Sequence, residues 1–171
     1  MEAPPAVGEP VLVFIGFMGA GKTTVARALG ARLGWRVEDI DLRIEAAERR
    51  TVATIFAQSG ETYFRQAERQ VLSSLLPLRE IVVATGGGTF VEPDNRALML
   101  ADGAVVWLDV PLPRVLERVP ADGRRPLASD RAQMELLFTR RQLAYAEAHA
   151  RVDASGRVAD VVERVLDWME F

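Results

Sequence analysis

Short, unbroken apolar runs alternate along this chain with longer stretches in which apolar residues return every three or four positions. Val11-Leu12-Val13-Phe14-Ile15 has no polar interruption, as expected of a strand buried on both faces, and a glycine-rich turn follows it. Over residues 22–33, Val25, Leu29 and Leu33 recur at every fourth position and predict a helix. A second strand is expected over Arg36 to Asp39, then helical segments near 41–58 and a helix over 61–76 that stops before Pro77. Ile81-Val82-Val83-Ala84 is another buried run, ended by Gly86-Gly87-Gly88. A short helix near 94–101 precedes the strand Ala104-Val105-Val106-Trp107-Leu108, and a helix at 112–119 follows. Pro120 to Pro126, with Gly123 between them, cannot continue a helix and reads as a mobile loop. A long helix over 130–149 then leads to a short edge strand near Val152. Val158, Val161, Val162, Val165 and Leu166 line one face of a last helix. Strands that are apolar throughout, alternating with helices, predict a three-layer α/β fold: a parallel sheet covered on both faces.

Composition narrows the class. The 171 residues fit a single domain over 10–171, preceded by a flexible tail at 1–9. With 49% hydrophobic and 26% charged residues, the chain has the make-up of a globular protein rather than a disordered one. The absence of cysteine excludes disulfides, thiolate nucleophiles and cysteine-based metal sites. MEAPPAVGEP has neither the basic start nor the apolar run of a signal peptide, and no segment has the length of a membrane span, so a cytoplasmic protein is expected. A net charge of -3 argues against a nucleic-acid partner. Of the 21 basic residues only Lys22 is a lysine.

That lysine falls in Gly16-Phe17-Met18-Gly19-Ala20-Gly21-Lys22-Thr23, a full match to the P-loop pattern, between a buried strand and an amphipathic helix. Glycines let the chain wrap a phosphate with its N–H groups inward, and the helix N-terminus adds partial positive charge. Lys22 supplies a point charge for the β- and γ-phosphates, and the Thr23 hydroxyl is placed for Mg²⁺. A guanine-specific N-K-x-D motif needs a second lysine, which the chain lacks. A small-molecule kinase is the expectation that remains.

Acceptor chemistry has to come from the rest of the domain. Asp39 and Asp41 stand at i and i+2 where the second strand ends, and in extended chain both face one side. One carboxylate can then hold Mg²⁺ through water while the other takes a proton from an attacking hydroxyl. The plainer alternative is that Asp41 caps the following helix. Arg65 is either a ligand group or the surface partner of Glu61 one turn back. Gly86-Gly87-Gly88 is more than a strand terminator needs and suggests close approach of backbone to a ligand.

Taken together, the P-loop, Asp39-x-Asp41, Gly60-Glu61…Phe64-Arg65…Glu68, the glycine triplet and Arg125-Pro126-Leu127 resemble the shikimate kinase family in order and spacing. The resemblance implies a P-loop kinase fold with a five-stranded parallel sheet in the order 2-3-1-4-5 and a lid over residues 119–128. It implies ATP, Mg²⁺ and phosphorylation of the shikimate 3-hydroxyl to give shikimate 3-phosphate. Carried over by position, Gly19, Ala20, Gly21, Lys22, Thr23 and Thr24 hold the nucleotide phosphates. Thr23 and Asp39 attend the metal, Asp39 through water. Asp41 sits nearest the attacking oxygen, Arg65 and Arg141 clamp the carboxylate, and Gly87 and Gly88 offer backbone N–H groups. Arg125 closes over the phosphates, and Arg118 and Arg157 belong to the adenine pocket. Arg140 stands next to Arg141 as a competitor for its role.

His149, the single histidine, is expected to be helix-terminal or solvated rather than a general base. The tryptophans are expected in the core, with Phe56 and Phe64 near Arg65 as a floor for the substrate ring. A monomer is expected. The alternatives are another small-metabolite kinase, such as a sugar-acid kinase, and a nucleotide-binding protein without turnover.

Overall fold

The computed structural model describes residues 11–118 and 131–170. In chain order its elements are β1 (Val11–Ile15), α1 (Lys22–Leu33), β2 (Arg36–Asp39), α2 (Ile40–Glu48), α3 (Val52–Leu75), β3 (Ile81–Ala84), α4 (Pro93–Asp102), β4 (Gly103–Asp109), α5 (Leu112–Arg118), α6 (Arg131–Tyr145), β5 (Ala150–Asp153) and α7 (Val158–Glu170). The strands form one parallel sheet in the order β2-β3-β1-β4-β5. Every residue of β1 and β3 is buried, as continuous apolar runs require when helices cover both faces. The expected tail at 1–9 and the expected lid at 119–128, with Arg125, lie outside the described residues. Among those described, no helix is long and apolar enough to cross a membrane.

Parallel pairing sets the position of the site. Phe14 of β1 and Asp39 of β2 both register with Ala84 of β3, so the three strands end at one level. The turns that follow, P-loop, acidic pair and glycine triplet, therefore open on the same edge of the sheet, where ligands of such folds bind. Thr85 locks two of them together: its N–H and its hydroxyl both donate to the Phe14 carbonyl, at 3.2 and 2.9 Å. At Gly16 a Cβ would stand 2.7 Å from the Leu108 carbonyl of β4, so only glycine allows the P-loop to leave the sheet there.

Two elements depart from the expected pattern. The helices expected on either side of residue 60 form one element, α3, whose axis breaks at Gly60 (φ 86°, ψ 170°), a conformation that essentially only glycine adopts. In the half after the break, Arg65 lies against Gly88 and Glu68 accepts from Thr89, next to the triplet. The helix expected over 130–149 instead ends at Tyr145. Bonds of the i→i−3 type tighten its last turn, from Glu147 N–H to Ala144 and from Ala148 N–H to Tyr145, both 3.0 Å. The turn brings His149 beside β4, where its Nδ1 accepts from the Val105 N–H at 3.0 Å. The half-buried histidine thus satisfies an N–H of the sheet. Trp107 and Trp168 are buried, whereas Trp35 is only partly so.

Candidate active site

The start of α1 differs from the starts of the neighbouring helices. Asp39, Thr51 and Glu92 cap α2, α3 and α4 with their side chains, but α1 begins at Gly21, in the left-handed conformation, with no side-chain cap. Its first N–H groups are left for an anion. Lys22 is buried and its ammonium donates to the carbonyls of Gly16 and Phe17 within the loop itself. Burial pulls this lysine down to about 8, opposed by Asp41 and Asp39 and reinforced by Arg141.

Beside it, the Thr23 hydroxyl donates to Asp39 Oδ2 at 2.7 Å, while Asp39 Oδ1 accepts from the Leu42 N–H at 3.1 Å. Asp39, rather than Asp41, is therefore the cap of α2. Nor does extended backbone bring the two carboxylates together: β2 ends at Asp39, and Asp41 already belongs to the first turn of α2. Their nearness comes from the strand-to-helix turn. Thr23 and Asp39 offer a divalent cation two hard oxygens side by side, which fits Mg²⁺ arriving with a phosphate and keeping most of its water. Among the described residues no group of three or more acidic, histidine or cysteine side chains could hold a metal alone.

Three candidate side chains converge on the glycine triplet, one to each glycine. A Cβ on Gly86 would lie 3.0 Å from Asp41 Oδ1; on Gly87, 2.7 Å from Arg141 Nη1; on Gly88, closer still to Arg65 Nη2. The missing side chains are thus the space that those groups occupy. The Gly86 N–H donates to Thr89, whereas those of Gly87 and Gly88 have no acceptor among the described residues. Arg65, Arg140, Arg141 and Gly88 border a cleft of about 310 Å³. Arg65 pairs with buried Glu68 at 2.7 Å and more loosely with Glu61 at 3.5 Å, so the surface pair with Glu61 is the lesser of its contacts. The rings of Phe64 and Phe56 are centred 5.5 and 5.8 Å from Arg65 Cζ, against the guanidinium. Tyr145, unassigned by sequence, donates its hydroxyl to the Gly87 carbonyl and so braces the triplet from α6.

Asp41 Oδ1 is buried with no hydrogen-bond partner among the described residues. Burial pushes the carboxyl up to about 6, with Asp39 and Glu68 acting in the same direction and Lys22 against them. These two shifts predict a bell-shaped pH profile of kcat/KM for an enzyme that needs Asp41 ionised and Lys22 protonated. Activity should rise through pH about 6 and fall through about 8. In the kcat profile the alkaline limb should move up, because bound phosphate favours the charged lysine. The signs for stability are opposite. A raised carboxyl makes the ligand-free fold less stable as pH rises through about 6, and a lowered lysine makes it less stable as pH falls through about 8. The free protein therefore holds both charges at a cost at neutral pH.

On the other side of the P-loop, Gly19, Gly21, Thr24, Ala154 and Val158 border a cavity of about 390 Å³, with Arg118 at its edge. Arg118 donates to the Gly19 carbonyl at 3.1 Å and the Ala154 carbonyl at 3.3 Å, bridging the P-loop to the turn after β5. It is thus no free helix-end residue. Arg157 pairs instead with Asp160 at 3.1 Å, 86% exposed, and does not border this cavity.

The family model "Shikimate kinase" matches residues 18–170. The shikimate kinase of Persephonella marina is 40% identical over 147 residues, 85% of this chain and 90% of that one. The structure of shikimate kinase from Acinetobacter baumannii in complex with shikimate superposes with a TM-score of 0.88 at 34% identity, covering 95% of this chain and 93% of that one. A gluconokinase from Sinorhizobium meliloti reaches a TM-score of 0.60 at 20% identity, covering 99% of this chain and 94% of that one, and shares the fold alone.

Proposed function

Since the chain belongs to the shikimate kinase family and so moves the γ-phosphate of ATP to the 3-hydroxyl of shikimate, we propose that its P-loop holds the nucleotide while Asp41, Arg65 and Arg141 hold and activate the acceptor. The observation that carries this division is the convergence of those three side chains on Gly86, Gly87 and Gly88. The shikimate carboxylate binds between Arg65 and Arg141, whose planar forks match it with paired hydrogen bonds, and the Gly87 and Gly88 N–H groups add donors. So anchored, the ring turns its 3-hydroxyl to Asp41, whose unpartnered oxygen accepts the hydroxyl proton as the oxygen attacks phosphorus.

Residues Gly19 to Thr24 cradle the phosphates on the uncapped start of α1. Lys22 exchanges the carbonyls of Gly16 and Phe17 for the β- and γ-phosphate oxygens. Thr23 and Asp39 would hold Mg²⁺, Asp39 through water, and the ion supplies positive charge against the phosphate oxygens. Arg118 borders the cavity that suits the adenine, while Arg157 keeps only its place from the resemblance. Arg125, outside the described residues, is assigned to closure over the phosphates on the same ground. We further propose a cytoplasmic monomer without nucleic-acid or membrane partners, in keeping with its net charge of -3.

The acceptor half of the proposal is tested at Arg65. A hydrogen-bonded charge pair contributes about 1.5–3 kcal/mol, so Arg65→Ala should weaken shikimate binding by about tenfold to a few hundredfold. Arg65→Lys should recover part of that, having the charge without the fork. ATP affinity without shikimate should stay unchanged in both. A neutral analogue of the shikimate carboxylate should bind wild type poorly yet lose little more in Arg65→Ala, because both changes remove one interaction. Strictly additive losses would take Arg65 off the carboxylate.

A further inference from the structure

Behind the acceptor cleft lie three polar side chains that touch no substrate in this mechanism: Glu68, Thr89 and Asn95, each with no exposed surface. The Gly86 N–H donates to Thr89 Oγ1 at 3.1 Å, and the Thr89 hydroxyl donates in turn to Glu68 Oε2. The other Glu68 oxygen accepts from Arg65 Nη1 at 2.7 Å and, at 3.5 Å, from Asn95 Nδ2. One hydroxyl thus joins the loop that faces Asp41 to the ion pair that aims Arg65. Threonine suits the place because its oxygen accepts and donates at once, and its branched Cβ restricts the rotamers available to the hydroxyl.

The energetics favour a strict geometry. Burial pushes the Glu68 carboxyl up, while the Arg65 guanidinium and the Thr89 hydroxyl favour its charged form. Remove the hydroxyl, and a part-buried N–H and a buried carboxylate oxygen each lose a partner. Arg65 would then face a carboxyl with less charge and a freer rotamer. An arginine recognises a carboxylate by its fixed planar fork, so a guanidinium that must be ordered on binding binds more weakly.

Given the acceptor site proposed above, we infer that Thr89 is a positioning residue for acceptor binding. Through Glu68 it holds the Arg65 guanidinium against Gly88, and through the Gly86 N–H it holds the loop against Asp41.

Two near-isosteric changes test this. Thr89→Val keeps the branched shape without the hydroxyl, and Thr89→Ser keeps the hydroxyl without the methyl. Thr89→Val should raise the KM for shikimate about tenfold while kcat and the KM for ATP change by about twofold or less. Thr89→Ser should stay near wild type. In an Arg65→Ala background, Thr89→Val should add little, since the two act on one contact. Hydrogen exchange at the Gly86 amide, measured on the free protein, should be faster in Thr89→Val and unchanged in Thr89→Ser. If Thr89→Val does not fold, Thr89→Ala carries the same comparisons. Unchanged shikimate KM in Thr89→Val, equal damage from valine and serine, or losses spread evenly over both substrates would each overturn the positioning role. Those results leave the acceptor assignment standing as long as wild type turns over shikimate. A wild type without shikimate-dependent turnover would sink that assignment and the positioning role with it.

Discussion

Lys22→Ala should lower shikimate-dependent turnover by about 10³-fold, since stabilising charge on the transferring phosphate supplies most of the rate in such reactions. No second lysine exists to substitute. Arg118, which touches the P-loop at Gly19, is held there by the carbonyls of Gly19 and Ala154. The fold should survive. In the free protein the Lys22 ammonium is buried against loop carbonyls and its charged form is disfavoured, so removing it relieves a cost rather than a support. The Tm of the ligand-free variant at pH 7 should therefore not fall. Near-normal turnover would refute the phosphate assignment, and a sharp drop in Tm would make the lysine a structural residue.

Asp41→Asn should lower kcat by about 10² to 10⁴, the usual contribution of a positioned general base, with little change in ATP affinity. Asparagine keeps the size and hydrogen-bonding reach of the side chain but cannot take the hydroxyl proton. The acid limb of the pH profile, set near 6 by this carboxyl, should disappear in whatever activity remains. At pH 8 the Tm of the ligand-free variant should not fall, because a buried carboxylate oxygen without a partner has been made neutral. Weakened ATP binding with normal turnover of the bound complex would move Asp41 to the nucleotide side. An acid limb that persists near pH 6 would assign that titration to another group.

How far the sequence reveals this site depends on whether a feature is local. The strands β1, β3 and β4 are legible because burial on both faces requires an unbroken apolar run, and the P-loop because wrapping a phosphate needs glycines, a lysine and a hydroxyl in fixed order. Gly60 is legible as a break between helices, though not as a bend within one element. Other features depend on chain segments that meet only in the fold. Nothing in Ala146-Glu147-Ala148-His149 stops a helix; the stop comes from the need to lead into β5, and the histidine answers an N–H of β4, 44 residues earlier. The acidic pair is visible, but the reason given by spacing is wrong, since the turn into α2 and not extended chain brings Asp41 to Lys22. Glu68 appears in the sequence only as one residue of a motif. Its partners Thr89 and Asn95 lie 21 and 27 positions away, and no periodicity connects them.

We propose that shikimate, a carboxylate-bearing acceptor, is phosphorylated at the edge of the sheet where Asp41, Arg65 and Arg141 meet the glycine triplet. The most direct measurement is ADP release from Mg-ATP in a coupled assay, run with shikimate, with gluconate and with no acceptor. Rapid release with shikimate, and only background release in the other two, is the predicted result. Release that is faster with gluconate than with shikimate, or equal with and without any acceptor, would contradict it.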